Sequence, residues 1–339
     1  MAAEMEATET GGLAGEMEVE AYRRLFPLAF LERHLRESVR PDARRTDEAR
    51  PITVALGAVS SAHGSALVRL GDTAMLASIK LEVMSPSYEA PDEGSVGLFA
   101  VDFPCICVAP FQVIWLIYSC VAWYSAAVEF HMPPICSPVV RPGRPAEVAP
   151  VISKTLEDIL MSSGMLNLKE LCLISGKASW LAYLDVYCLN ADGSLFDAAL
   201  ISAVAAFTHL EIPLVSVGDD GRVFTVGGNE GKIKYEVVNR EKRKITVTNI
   251  PFSLTCALHK DNILADPTAE EESIIETSMT VVLDSSDQIV SIQKFGGAVT
   301  SMATIKDCIS LAKDRRKKLR GILSVEAMEV DSHSSDSVN

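Results

Sequence analysis

Asn190, Ala191, Asp192 and Gly193 read as a turn between a strand and a helix, and such a turn can do chemistry. The first N–H groups of a helix have no partner within it and point at the turn, so they can hold a phosphate. Leu195 and Phe196 open this helix, and neither Arg nor Lys stands beside them. An anion site without a cation is a weak one. Basic residues stand elsewhere, Lys154 and the loop Arg141-Pro-Gly-Arg144 among them, and the runs Arg240–Lys244 and Arg315–Arg320 could touch RNA. The first run reads as an exposed strand edge, the second as a solvated helix end favoured by the macrodipole. Glu270-Glu271-Glu272 could bind a cation, but a solvated turn is the simpler expectation. Cys105-x-Cys107 is the one close thiol pair and lacks further ligands, so no metal site is expected. His63, beside Gly64, reads as a turn residue rather than a base. No GxSxG or Walker pattern occurs.

Several elements must position that turn. Trp180, Ala182, Leu184, Val186 and Cys188 alternate along a strand before it. Ser194 is placed to cap the helix, with Asp197 as the acid of a capping box. Ala198, Ala199, Ala203, Ala205 and Ala206 keep the helix thin enough to lie close on a sheet. The chain has 339 residues, 48% of them hydrophobic, and a net charge of −14. That balance argues against gripping nucleic acid with the whole surface. Eight cysteines lie mostly in apolar runs and read as reduced core residues of an intracellular protein. The first twenty residues hold six acids and no Lys or Arg, with no signal-peptide pattern among them.

In chain order, residues 1–19 are acidic and expected to be disordered. Residues 20–218 form a first half. Glu20–Glu37 is predicted helical with a break at Pro27, followed by strands over Ile52–Leu56, Ser65–Leu70 and Thr73–Val83. A helix over Glu147–Ser162 has Val148, Val151, Ile152, Leu156, Ile159 and Leu160 as its stripe. Residues 219–325 form a second half, with strands over Ile233–Val238 and Lys244–Val247. Hairpins over Phe252–Asp266 and Thr277–Lys294 and a helix from about Thr300 to Leu323 complete it. Residues 326–339 are an acidic tail expected to be disordered. Each half thus reads as strands followed by a helix, a duplicated α+β architecture of mixed sheets.

Phe103–Val128 interrupts this plan with 26 uncharged residues. Its length would license a membrane span. Pro104, Pro110 and the absence of basic flanks oppose that, and no membrane association is expected. A buried helix or strand pair is a second possibility. A third is an insertion foreign to the fold, over 104–130. Val101-Asp102-Phe103 recurs as Val128-Glu129-Phe130, and removing Pro104–Phe130 joins Phe103 to His131 in an ordinary strand. A retained intron or alternative splice acceptor would leave such a segment.

Arg40-Pro-Asp42, Gly64-Ser65-Ala66-Leu67 with Gly71-Asp72-Thr73, and Asp192-Gly193 before the Ala-rich helix appear in the order found in the RNase PH family. From about Phe26 to Leu323 the chain resembles that family, whose fold is α+β of the ribosomal protein S5 domain 2-like type. Leu264-Ala-Asp266-Pro267-Thr268, followed by Glu270-Glu271-Glu272, resembles the marker of exosome core subunits of the archaeal second-subunit class. Leu171-Cys-Leu-Ile-Ser-Gly-Lys177-Ala-Ser-Trp180 and Gly296-Gly297 agree with it. Active members degrade RNA from its 3′ end with inorganic phosphate. Their Gly-Thr-Arg triplet corresponds to Ser194, Leu195 and Phe196, so Phe196 stands at the Arg position. Their Asp-x-Asp-Met corresponds to Glu276, Thr277, Ser278 and Met279, and an Arg on the preceding helix corresponds to Lys154, which lacks its fork.

The resemblance therefore implies a degenerate site at Phe196, Glu276 and Ser278, with Lys154, Arg141 and Arg144 as RNA-facing candidates. It implies a non-catalytic subunit of the RNA exosome ring, without cofactor or metal. The implied partners are other RNase PH-like subunits in a hexameric ring, S1/KH cap subunits, a separate exoribonuclease and RNA. The implied places are nucleus, nucleolus and cytoplasm. The alternatives are an active phosphorolytic exoribonuclease and a non-productive splice product.

Overall fold

The computed structural model describes residues 17–86, 92–96, 128–143, 146–213, 215–217, 223–225, 242–297 and 299–335. Residues 17–25 are helical, and α1 (Pro27–Arg36) follows after Phe26 with the proline in its first turn. Pro27 has no N–H to give, so the chain breaks there as predicted.

Alternation of small and branched side chains builds the first sheet. β1 (Ile52–Leu56), β2 (Gly64–Leu70) and β3 (Thr73–Met84) are antiparallel neighbours. β4 (Val128–His131) is parallel to β6 (Ala178–Asn190), while β5 (Cys172–Ile174) pairs with the start of β6. The order is β1-β2-β3-β6-β4. α2 (Ala149–Ser162) buries Ile152, Leu156, Ile159 and Leu160, but Val148 and Val151 face outward, contrary to the predicted stripe. α3 (Leu195–Thr208) is buried over nearly its whole length, against β2 and β3 on one side and the second half on the other. Its alanines allow this close approach. Gly64 does so from the other side, since a Cβ there would meet the Ala206 carbonyl at 2.6 Å.

Short pairs β7 (Glu211–Pro213) with β10 (Lys242–Lys244), and β8 (Val215–Val217) with β9 (Val223–Thr225), lie between the halves in sequence. The predicted strand over Lys244–Val247 lies two residues earlier, and that over Ile233–Val238 lies outside the described residues. The second sheet is antiparallel, in the order β12 (Asn262–Ala265), β11 (Phe252–His259), β13 (Ser278–Leu283), β14 (Ile289–Phe295). Between β12 and β13 a short helix, α4 (Ala269–Ile274), carries a capping box between Thr268 and Glu271. α5 (Met302–Ser335) packs on β1, β11 and β13, and it runs to Ser335 rather than ending near Leu323, so residues 326–335 of the tail expected to be disordered are helical. Phe252, Val282, Leu319 and Leu323 of the second half join the main core of the first.

Of the N-terminus expected to be disordered over 1–19, residues 17–19 are helical instead, and residues 1–16 lie outside the described residues, as does Cys105-x-Cys107. So does all of the uncharged stretch except Val128. Among the described residues no helix is long and apolar enough to cross a membrane. Four of the five described cysteines (Cys136, Cys188, Cys256 and Cys308) are buried, and all five are free thiols.

Asp197 does not serve a capping box. Its Oδ2 accepts the Thr255 N–H at 2.6 Å and ties α3 to β11, while its Oδ1 is buried without a partner. Burial pushes its carboxyl up to about 6. The folded protein thus binds this proton more tightly than the unfolded chain does. Stability from this group is present below about pH 4 and is lost as pH rises through about 6, by roughly 3 kcal/mol. Asp197→Asn removes the charge and keeps an oxygen for Thr255. Urea midpoints across this window are expected to fall less with rising pH in Asp197→Asn than in the unaltered chain. Parallel profiles would contradict this.

Candidate functional site

The turn before α3 is built from both halves. Gly193 adopts φ +73°, and a Cβ there would meet the Pro267 carbonyl at 2.4 Å, so only glycine fits. Thr73 Oγ1 donates to the Gly193 carbonyl at 2.9 Å and accepts the Asp192 N–H at 3.2 Å. Arg50 donates to the Asp192 carboxylate at 3.1 Å and to the two Asp266 oxygens at 2.7 and 3.0 Å. Burial alone would raise the Asp266 carboxyl, but the hydrogen bonds and charge of Arg50 outweigh it and hold Asp266 below its usual range.

Ser194 is left-handed, at φ +47°, and its side chain does not cap α3 as the sequence predicts. Its hydroxyl donates to the Pro267 carbonyl at 3.1 Å instead. Its N–H donates to Glu272 Oε1 at 2.8 Å. The protein's own carboxylate therefore sits at the turn where an anion would be held. Enclosure by protein, with the like charges of Asp197 and Asp266, pushes Glu272 up to about 7, although its side chain still meets the solvent that screens this push. Its neighbours are equally engaged. Glu271 is buried in an ion pair with Arg40, and Glu270 pairs with Arg23. The acidic triplet is thus not a solvated turn.

A cleft of about 520 Å³ opens beside the turn, lined by Met132, Val139, Val140, Arg141, Glu147, Val148, Gly193, Leu195 and Glu272 among others. Arg141 is the one basic side chain on it among the described residues, and Arg144 lies outside them. Phe196, half-buried, packs against the main core and does not line the cleft. Lys154 does not reach it either. Its ammonium pairs with Asp158 at 3.0 Å and Glu157 at 3.1 Å, which raise its pKa. Glu276 is exposed and Ser278 opens β13, and the strand here lies against the Gly296-Gly297 turn. The structure brings Arg141 to the turn and leaves Lys154, Phe196, Glu276 and Ser278 off the cleft lining. Arg315 donates to the Arg50 carbonyl at 3.0 Å and Arg316 pairs with Asp287 at 2.9 Å, so that basic run starts as structure rather than as a solvated helix end.

Domain 1 of the 3′ exoribonuclease family, the RNase PH family, matches residues 48–111 and 124–213, and domain 2 matches residues 249–315. A relative named exosome complex component Rrp42, from Methanopyrus kandleri, is 30% identical over 86% of this chain and 96% of its own. The chain belongs to the RNase PH family. Exosome complex component rrp43 of Schizosaccharomyces pombe is 29% identical over 87% of this chain and 94% of its own. An Archaeoglobus fulgidus exosome structure with RNA bound to the active site shares the fold, at a TM-score of 0.67 and 23% identity over 90% of this chain and 98% of that one. An archaeal exosome core gives 0.62 and 22% identity, over 91% and 99%. The RNase PH resemblance and the α+β class drawn from the sequence hold.

Sequence reasoning missed the roles of Arg50, Asp197 and Glu272. Leu-Ala-Asp-Pro-Thr marked a class without revealing that its aspartate holds Arg50. With Glu272 charged, well above its pKa, inorganic phosphate is expected to raise the melting temperature no more than chloride of equal ionic strength. Glu272→Ala frees the Ser194 N–H and should gain a phosphate-specific rise. Thermal melts in both salts check this, and a phosphate-specific rise in the unaltered chain contradicts it.

Proposed function

We propose that this chain is a non-catalytic subunit of an RNA exosome ring, of the class of S. pombe Rrp43. Relatives named as exosome components align with it over most of its length. The observation that carries the non-catalytic part is the Glu272 carboxylate on the Ser194 N–H. Above about pH 7, where Glu272 is ionised, a phosphate entering that turn would meet a negative charge, with Phe196 where active members carry Arg. Loss of one donor for developing charge typically costs about 3 kcal/mol of transition-state stabilisation. Here a donor is lost, a like charge is added, and Ser278 replaces a carboxylate.

The chain's own work is then interface and channel wall. It sits beside other RNase PH-like subunits in a six-membered ring, under S1/KH cap subunits, and passes RNA to a separate exoribonuclease. Exposed apolar side chains of Ile135, Val139, Val148 and Val151 support a surface that a neighbouring subunit covers. Arg141 on the cleft, with Arg144 on the same loop and Lys154 on α2, would meet RNA phosphates. Work in rRNA maturation and mRNA turnover places the assembly in nucleus, nucleolus and cytoplasm.

The test reconstitutes this chain with RNase PH-type subunits of the complementary class and follows phosphate-dependent nucleotide release from RNA. Release should be unchanged by Glu276→Gln. Arg141→Ala and Lys154→Gln should each weaken RNA binding and lower its salt slope by about one. A tenfold or greater loss of release on changing Glu276 would show that this chain does the chemistry.

A further inference from the structure

The free edge of β6 is lined by three segments in succession. β5 pairs at Ala178 and Ser179, Ser95 forms a parallel bridge to Leu181, and β4 begins with Val128 opposite Leu184. β3 covers the other edge of β6 throughout, from Ser179 to Asn190. Ser95 is held as a strand residue is: its N–H donates to the Trp180 carbonyl at 3.1 Å, and its carbonyl accepts the Ala182 N–H at 3.0 Å. Leu181 and Leu184 are three positions apart, so a strand continuing from Ser95 would reach the start of β4 in roughly 10 Å. The chain places 32 residues, 96–127, between those two points.

What β4 requires is simple. Val128 and Phe130 are 1% and 4% exposed and belong to the main core. Glu129 and His131 face the other way. The His131 ring stacks on Tyr187 at 4.6 Å, and its Nε2 lies 3.3 Å from Glu129 and 4.0 Å from Asp185. The Phe130 N–H donates to Ser153 Oγ at 2.8 Å, a backbone contact that any residue but proline could make. Val101-Asp102-Phe103 offers the same two core side chains and another carboxylate between them. With 104–130 removed, His131 follows Phe103 directly, as it follows Phe130 now. Six residues from Ser95 to Val101 can reach up to about 20 Å, twice the distance required. The match to family domain 1 passes over residues 112–123, inside this same stretch.

We propose that residues 104–130 are dispensable to this sheet, and that Val101-Asp102-Phe103 can serve as a second copy of β4. A chain lacking 104–130 folds to the same sheet, with that triplet in the place of Val128-Glu129-Phe130 and Asp102 beside His131 and Asp185. Two lengths of this subunit therefore share one fold, as an optional in-frame segment in the transcript would produce.

The test uses the full chain, a chain lacking 104–130, and a control lacking 101–127, which keeps the present β4 and removes the same length. Both shortened chains should unfold cooperatively at urea midpoints equal to each other. In the full chain Phe130→Ala lowers the midpoint and Phe103→Ala leaves it unchanged. In the chain lacking 104–130, Phe103→Ala lowers it by as much as Phe130→Ala does in the full chain. Folding of the control alone would show that the first triplet cannot serve as the strand. Failure of both would show that the segment is integral to the fold. A silent Phe103→Ala in the shortened chain would also overturn the proposal.

Discussion

The guanidinium of Arg50 donates to Asp266 of the second half and to Asp192 of the first, and almost everything at the turn depends on it. Arg50 and Asp266 are nearly sealed from solvent, with side chains 6% and 2% exposed. A buried pair of this kind adds little over a well-packed apolar pair, but removing one partner strands the other and costs about 3–5 kcal/mol. A second buried pair, Arg40 with Glu271, repeats the device a few residues away. Together they hold the segment 266–272 against the end of β6. That contact leaves no room for a Cβ at Gly193 and delivers Glu272 to the Ser194 N–H. The same ion pairs that join the halves thus bring a carboxylate to the start of α3.

In the reading proposed above, catalytic loss comes as much from an added group as from an arginine and an aspartate that are missing. A helix N-terminus attracts negative charge whatever its source, and the acidic stretch after Asp266 supplies it from within. Asp197, one turn into α3, turns its carboxylate away from the helix start and onto the Thr255 N–H. α3 lies as a beam between two sheets, with the carboxylates of Glu272 and Asp197 bound at one end.

Much of the fold was legible because it rests on local patterns. Alternation along Trp180–Cys188, the Gly71-Asp72 turn and the alanines of α3 each predict an element, and each stands where expected. Ser194 and Asp197 misled because a capping box is a local pattern, whereas their actual partners, Pro267 and Thr255, lie 73 and 58 residues away. Arg50 carried no signal at all, since its partner Asp266 is 216 residues distant. The acidic triplet looked solvated because its cations, Arg23 and Arg40, stand more than 200 residues before it. Val148 and Val151 fit the periodicity of α2 and still face outward, because the hydrophobic stripe is wider than the face that the sheet covers. In the ring proposed above, a second chain would cover the remainder.

Ring membership is the claim on which the rest of the function hangs, and co-purification from the source cells tests it most directly. A tagged form of this chain is expected to bring down other RNase PH-type subunits in near-equal amounts, together with S1/KH cap subunits. Recovery of the tagged chain alone, or with unrelated proteins only, would contradict it.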